Sequence, residues 1–190
     1  MSVPRIIAGT ARGIRLKPVP GDSTRPITDR VKEALFNILA EDILDATMLD
    51  LFGGTGSVGI EALSRGARFV RFIDINRQAF DTLRFNLEHT RLSDKAEVVR
   101  ADAFSVLRRT PDRRFDYIYV APPQYKGLWV QSLKEIDANP GWLSDESWVI
   151  VQIDPVEYEA NVSTSLREIE QRKYGSTLLV FYEPIRNAEG

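Results

Sequence analysis

Apolar residues recur along this chain in two rhythms. Over residues 28–41 they fall at helical spacing, with Val31, Leu35, Ile38 and Leu39 on one face. Thr28 stands where an N-cap belongs and Asp29 suits the positive first turn, so the pattern predicts a helix from Thr28 to about Glu41. From residue 46 onward, short apolar runs alternate with helical segments. Strands are predicted over 47–52, 69–74, 96–100, 117–120 and 148–153, with helices over 57–65, 76–90, 103–109 and 127–137 between them. Parallel neighbours need a crossover, and a helix is the usual one, so this alternation predicts a parallel sheet covered on both faces. The end breaks the rhythm. Residues 166–173 and 177–182 flank Tyr174-Gly175-Ser176 and predict a closing antiparallel hairpin. At the other end, residues 4–19 predict a short hairpin that turns through Gly9 and Gly13 and is closed by Pro18, Pro20 and Gly21. The expected architecture is a single α/β domain over 1–190, with residues 1–24 as a small N-terminal appendage and 25–190 as the main fold.

Composition narrows the chemistry by exclusion. At 190 residues, with 43% hydrophobic and 27% charged positions, the chain is long enough and apolar enough to bury a core without staples. No apolar run reaches 18 residues, and Met1 to Gly9 lack the apolar stretch of a signal peptide, so a cytoplasmic protein without a membrane span is expected. With no cysteine and one histidine, His89, neither disulfides, thiolate zinc sites, a cysteine nucleophile nor a multi-histidine metal site is available, and no metal is expected. His89 reads as a surface residue near a helix end. Trp129, Trp142 and Trp148 read as packing anchors.

The net charge of −2 conceals a polarity. Residues 1–32 hold seven basic side chains against two acidic ones, and the remaining 158 residues carry a net −7. A basic arm on an acidic body is either a solvated segment or the end that meets a polyanion.

Candidate chemistry starts at residues 48–61, Met-Leu-Asp-Leu-Phe-Gly-Gly-Thr-Gly-Ser-Val-Gly-Ile-Glu, where a buried strand runs through a glycine turn into a helix. Gly54, Gly56 and Gly59 satisfy the dinucleotide fingerprint, although a purely structural strand-to-helix turn reads the same way. Asp74 ends the second strand 20 residues after Gly54, where an acid hydrogen-bonds the ribose hydroxyls of an adenosine cofactor. Asp50, just ahead of the loop, would repel a pyrophosphate but favours a ligand carrying an ammonium and a sulfonium. Those are the charged groups of S-adenosylmethionine. Asp102, after the third strand, can accept from the adenine amino group. Three acids at successive strand ends therefore favour adenosylmethionine over a nicotinamide cofactor, and the length leaves little room for the substrate domain a nicotinamide enzyme needs.

On these residues the chain resembles the bacterial 16S ribosomal RNA guanine-N2 methyltransferases of the small single-domain type. The resemblance covers nearly the whole length. It rests on Arg5-Ile6-Ile7-Ala8-Gly9, on the run from Arg25-Pro26-Ile27-Thr28-Asp29-Arg30 through Val31-Lys32-Glu33-Ala34-Leu35-Phe36-Asn37, and on Leu49-Asp50-Leu51-Phe52-Gly53-Gly54-Thr55-Gly56. It implies the seven-stranded class I methyltransferase sheet. It also implies cofactor contacts at Asp50, Phe52, Gly53, Gly54, Gly56, Asp74, Asp102 and Ala103.

One motif departs from that family. Its members carry Asp or Asn, then Pro-Pro, then an aromatic residue after the fourth strand; this chain reads Ala121-Pro122-Pro123-Gln124-Tyr125. An exocyclic amine is a poor nucleophile because its lone pair is delocalised into the base. An oxygen that accepts its hydrogens helps attack, and an aromatic ring holds the flipped base in line. Ala121 offers no such oxygen. Pro122 through its carbonyl, Gln124 through its amide and Tyr125 through its ring are the remaining catalytic candidates, while Pro-Pro alone also serves as a strand terminator. Arg5, Arg12, Arg15, Arg25 and Arg30 are the candidates for docking phosphates of 16S ribosomal RNA or of an assembling small ribosomal subunit. The expected function is methylation of a guanine N2 amine by a monomer. The alternatives are an impaired relative that binds cofactor and RNA in ribosome assembly, or a small-molecule methyltransferase.

Overall fold

A computed structural model of the chain describes residues 3–21 and 26–186. The chain falls into two compact units, Met1–Ala103 and Phe104–Gly190. Among the described residues no helix is long and apolar enough to cross a membrane.

In the first unit, helix α1 spans Asp29–Leu39, with the Thr28 hydroxyl accepting from the Val31 N–H at 3.3 Å. It buries Val31, Leu35, Phe36 and Leu39, the stripe its spacing predicted except that Ile38 is only partly covered. Helical φ stops at Leu39 because Ala40 takes φ 47°, and a tight 3-10 turn continues to Ile43. Strands β1 (Thr47–Asp50), β2 (Phe69–Asp74) and β3 (Ala96–Arg100) pair in parallel, in the order β3-β2-β1, with Leu49 opposite Arg71 and Asp74 opposite Arg100. Helices α2 (Ser57–Ser64) and α3 (Arg77–His89) make the crossovers, and Asn76 caps α3 by accepting from the Ala79 N–H. Strand β1 ends two residues before its apolar run does, because Leu51 and Phe52 already bend into the glycine turn that Gly53 pins by donating to the Ile73 carbonyl. Gly59 is where α2 meets β2. A Cβ there would lie 2.2 Å from the Phe72 ring, so only glycine lets the helix pack this closely.

The N-terminal appendage forms the predicted hairpin in minimal form. Among the described residues its two sides are joined by the antiparallel bridge Arg5↔Arg15 and by backbone bonds from Ile6 to Ile14 and from Leu16 to Pro4, without a longer ladder. It is not peripheral, since Ile6, Ala11 and Leu16 are 1% exposed. Apolar positions at 6, 11 and 16 are too sparse to fix a strand period, but they suffice to bury one side of the arm.

In the second unit, α4 (Ala103–Leu107) leads to β4 (Phe115–Val120), α5 (Leu128–Ala138), β5 (Leu143–Ile153), β6 (Leu166–Tyr174) and β7 (Thr177–Pro184). β4 and β5 are parallel, β5 and β7 antiparallel, and β6 and β7 form the closing hairpin around Gly175-Ser176. β5 starts five residues before its apolar run. Its first half, Leu143 to Ser147, carries polar residues and crosses a register shift between Phe115 and Tyr117, which hid it from the periodicity. Trp129 and Trp142 are buried as anchors, with the Trp142 indole donating to the Leu107 carbonyl at 3.0 Å. Trp148 is partly covered and edge-on to Phe181.

Candidate active site

Each unit carries candidate site residues, placed by its own strand ends. In the first unit, the carboxyl ends of β1, β2 and β3 deliver Asp50, Asp74 and Asp102. Asp50 is 2% exposed, and its Oδ1 has no hydrogen-bond partner. Burial pushes its carboxyl up from 3.8 to about 7, with a backbone hydrogen bond from Phe52 acting the other way and the charge of Asp74 adding to the rise. A buried carboxylate oxygen with nothing to accept is costly, and the economical explanation is a cationic ligand that completes it.

Asp74 is committed more locally than a ribose contact alone requires. Its Oδ2 accepts from the Gly54 N–H at 3.0 Å and its Oδ1 from the Asn76 N–H at 2.9 Å, so it fixes the glycine turn from below while each oxygen keeps a lone pair. Gly54 has φ +55° and open space where a Cβ would stand, a cradle that a side chain would fill. Gly53 and Gly56 are buried, Phe52 and Asp102 half-buried, and Ala103 buried at the start of α4. Ala101 donates to the Asp74 carbonyl and holds the Asp102 segment beside the end of β2. Orphaned anion, open glycine and adjoining acids together suit a ligand with a cationic end and a hydroxyl-rich, amine-bearing end. Sequence reasoning missed Ile75, which directly follows Asp74 and is 64% exposed, an apolar surface beside these acids. Its signal was an apolar residue just past the strand-ending acid.

The glycine loop is tied to the basic arm by two buried polar bridges. Lys32, 1% exposed, donates to the Arg5 carbonyl, to Ser57 Oγ at 3.0 Å and to Glu61 Oε1 at 3.2 Å. Burial pulls the Lys32 ammonium pKa down, and Glu61 opposes that. Glu61, fully buried in α2, also accepts from the N–H groups of Ile7 and Ala8 and from Arg65 Nε. On α3, the buried Asn86 accepts from the Lys17 N–H, donates to the Lys17 carbonyl and donates to the Thr55 carbonyl in the loop. Lys32 is therefore a structural cation, although by sequence it counts toward the net positive charge of residues 1–32.

The arm's remaining cations sort differently. Arg12, Arg15 and Arg30 are exposed, Arg5 is exposed but paired with Asp29 at 2.7 Å, and Arg25 lies outside the described residues. His89 ends α3, exposed and stacked on Phe85.

In the second unit, β4 ends at Val120 and the Ala121-Pro122-Pro123 segment leaves it half-buried, with Gln124 exposed. Tyr125 is 66% exposed and takes φ +63°, a left-handed backbone unusual for an aromatic residue. Its N–H donates to Glu157 Oε1 and its hydroxyl to Asp154 Oδ2, both at 2.7 Å. Asp154 and Glu157 escaped the sequence reading. Their signal was Asp154-Pro155-Val156-Glu157 itself, the pattern of a capping box.

A family model described as Conserved hypothetical protein 95 matches residues 4–183. The Bacillus subtilis (strain 168) protein YlbH is 35% identical over 182 residues, covering 94% of this chain and 98% of its own. The Escherichia coli (strain K12) protein named Ribosomal RNA small subunit methyltransferase D is 42% identical over 151 residues, covering 78% of this chain and 73% of its own. The solved structure of the Escherichia coli protein yhhF superposes with a TM-score of 0.85 at 34% identity, over 96% of this chain and 98% of that one. The α/β fold with seven strands, mostly parallel and closing in an antiparallel hairpin, is thus shared with it.

Proposed function

The chain belongs to the Conserved hypothetical protein 95 family, and from that footing we propose that it is an S-adenosylmethionine-dependent methyltransferase acting on small-subunit ribosomal RNA, at the N2 amine of a guanine. The likeness to Ribosomal RNA small subunit methyltransferase D supports the RNA class. The observation that carries the cofactor is Asp50, a buried carboxylate whose Oδ1 lacks a partner. When bound, adenosylmethionine supplies a methyl group on a cationic sulfur, ready for attack by a neutral amine. The chain's own work is to hold and to orient. Asp50 pairs with the cofactor's cationic end, Asp74 takes ribose hydroxyls, and Asp102 takes the adenine amine. Phe52, Gly53, Gly54, Gly56 and Ala103 supply the surface against which it lies. The segment after β4 acts on the base: the Pro122 carbonyl and the Gln124 amide oxygen accept hydrogen bonds from the amine, and the Tyr125 ring stacks on the flipped guanine. The amine's new bond to the methyl carbon would replace the carbon–sulfur bond, adenosylhomocysteine would leave and the surplus amine proton would pass to solvent. The protein works as a monomer and a single methyltransferase domain, and its substrate is an assembling small subunit.

A second reading has one observation in its favour. Ala121 stands where such enzymes carry a side-chain acceptor, and losing one transition-state hydrogen bond costs about 10²–10³ in turnover. A protein that binds cofactor and RNA without transferring would share every other feature. Transfer of a labelled methyl group to small ribosomal subunits from cells lacking this protein separates the two. Incorporation at one guanine N2 is expected; bound adenosylmethionine without incorporation would establish the binding protein.

The arm carries the second part of the proposal: exposed Arg12, Arg15 and Arg30 dock phosphates, Arg25, outside the described residues, is a further candidate by sequence, and Arg5 contributes less because Asp29 neutralises it. Replacing Arg12 and Arg15 with alanine is expected to reduce the slope of log affinity against log salt by about 1.4–1.8, at roughly 0.7–0.9 per lost phosphate contact. Adenosylmethionine affinity should not move. An unchanged salt slope would remove the arm from the RNA interface.

A further inference from the structure

A two-thirds exposed tyrosine ordinarily samples several rotamers, and a stacking platform that wanders is a poor one. Tyr125 is held at both ends instead. Its backbone N–H is fixed by Glu157 Oε1 at 2.7 Å, which supports the left-handed φ of +63°, and its hydroxyl is fixed by Asp154 Oδ2 at 2.7 Å. The two carboxylates are themselves braced. Glu157 Oε2 accepts from the Asp154 N–H at 3.3 Å and Asp154 Oδ1 from the Val156 N–H at 3.0 Å, closing a capping box around the 3-10 turn Pro155–Glu157. Each acid thus spends one oxygen on the turn and the other on Tyr125. The brace spans 29 and 32 residues of sequence, and it secures a residue that remains 66% exposed, so packing a core is not its purpose.

We infer that Asp154 and Glu157 are positioning residues that hold Tyr125 as a rigid platform for the target base. The inference rests on the proposed stacking role of Tyr125. It assigns the two acids no contact with cofactor or substrate; they act through the tyrosine. A fixed ring lowers the cost of aligning the amine after the RNA has docked, so the clamp governs turnover more than subunit affinity.

The test measures methyl transfer to small subunits from cells lacking this protein. It uses wild type, Tyr125→Phe, Asp154→Ala, the double variant, Asp154→Asn, Glu157→Gln and Tyr125→Ala, with calorimetric adenosylmethionine affinity for each. Tyr125→Phe and Asp154→Ala are each expected to lower kcat at least fivefold with KM for subunits within twofold, and the double variant to be no worse than either single one. Asp154→Asn keeps its one oxygen for the Val156 N–H and turns its NH2 to the tyrosine hydroxyl, which can accept from it, so it should recover most of the loss and guards against a mere loss of the cap. Glu157→Gln keeps one oxygen, enough for the Tyr125 N–H at the cost of the longer 3.3 Å bond from the Asp154 N–H, and should stay within threefold of wild type. Adenosylmethionine affinity should be unchanged throughout. If Tyr125→Ala is inactive while Tyr125→Phe and Asp154→Ala match wild type, the ring matters but the clamp does not, and the inference falls while the functional reading stands. Additive losses in the double variant would also overturn it. An inactive wild type would overturn the functional reading and the inference with it.

Discussion

Replacing Glu61 with alanine is expected to destabilise the protein by about 3–5 kcal/mol, the usual result of stripping one partner from a buried ion pair. Glu61 is fully buried, and the Lys32 ammonium it faces is 1% exposed. Without the carboxylate, Lys32 keeps only the Arg5 carbonyl and Ser57 Oγ, neither of which carries charge. The N–H groups of Ile7 and Ala8 lose their acceptor at the same time, at 2.8 and 3.1 Å. The first consequence is therefore local: the arm detaches from α2, and its backbone becomes a protease target before the unit unfolds. Lys32→Met should be milder, because Glu61 would still hold two arm N–H groups and Arg65. The double variant Lys32→Met with Glu61→Leu should recover part of the stability lost in Glu61→Ala, since no charge is then buried alone, but it should not restore the arm's protection. Urea denaturation and limited proteolysis of residues 3–19 check both halves. A Glu61→Ala protein within about 1 kcal/mol of wild type would mean that water reaches the pair.

That network also shows where sequence reasoning reached its limit. The strands over 69–74 and 96–100 fell at their observed bounds because in each an apolar core runs to a charged residue that closes it. The glycine loop and the three acids were legible because they lie at fixed offsets from those strand ends. Glu61 and Lys32 were not. Each looks like one charged residue on a helix, and nothing local says that the two helices turn those residues inward to the same point. The arm's docking was hidden for the same reason: its partners, Glu61, Ser64 and Asn86, are more than 50 residues away. In the second unit the pattern found the Pro-Pro segment and missed its braces. The departure at Ala121 drew attention to what the motif lacks, whereas the carboxylates at 154 and 157 are supplied from beyond the end of another strand.

Asp50→Asn is expected to make the cofactor-free protein more stable above pH 7 and to weaken adenosylmethionine binding, a trade that follows from one buried charge. Burial raises the Asp50 carboxyl from 3.8 to about 7. Between these values the native protein holds a proton that the unfolded chain has released. Its contribution to stability is therefore full below about pH 4 and is lost as pH rises through about 7. A shift of that size corresponds to a charging cost on the order of 4 kcal/mol at pH 8. Asparagine never charges, but its amide nitrogen at the unpartnered Oδ1 position would take back about 1–3 kcal/mol, leaving a net gain of about 1–3 kcal/mol at pH 8 and little or none at pH 5. Binding should move the other way. A cationic ligand needs the ionised form, so wild-type affinity should decline below pH 7, and near neutrality binding should release up to one proton, visible in calorimetry as a heat that varies with buffer ionisation enthalpy. Asp50→Asn should lose that proton release and bind about 10–150-fold more weakly, the equivalent of one hydrogen bond to a charged group. A variant no more stable at pH 8 that binds as well as wild type would show that Asp50 is an ordinary solvated acid. A variant that is more stable but binds as well would keep the buried charge and deny it the cofactor. Only stability gained together with affinity lost identifies the strain at Asp50 as the means of holding a cation.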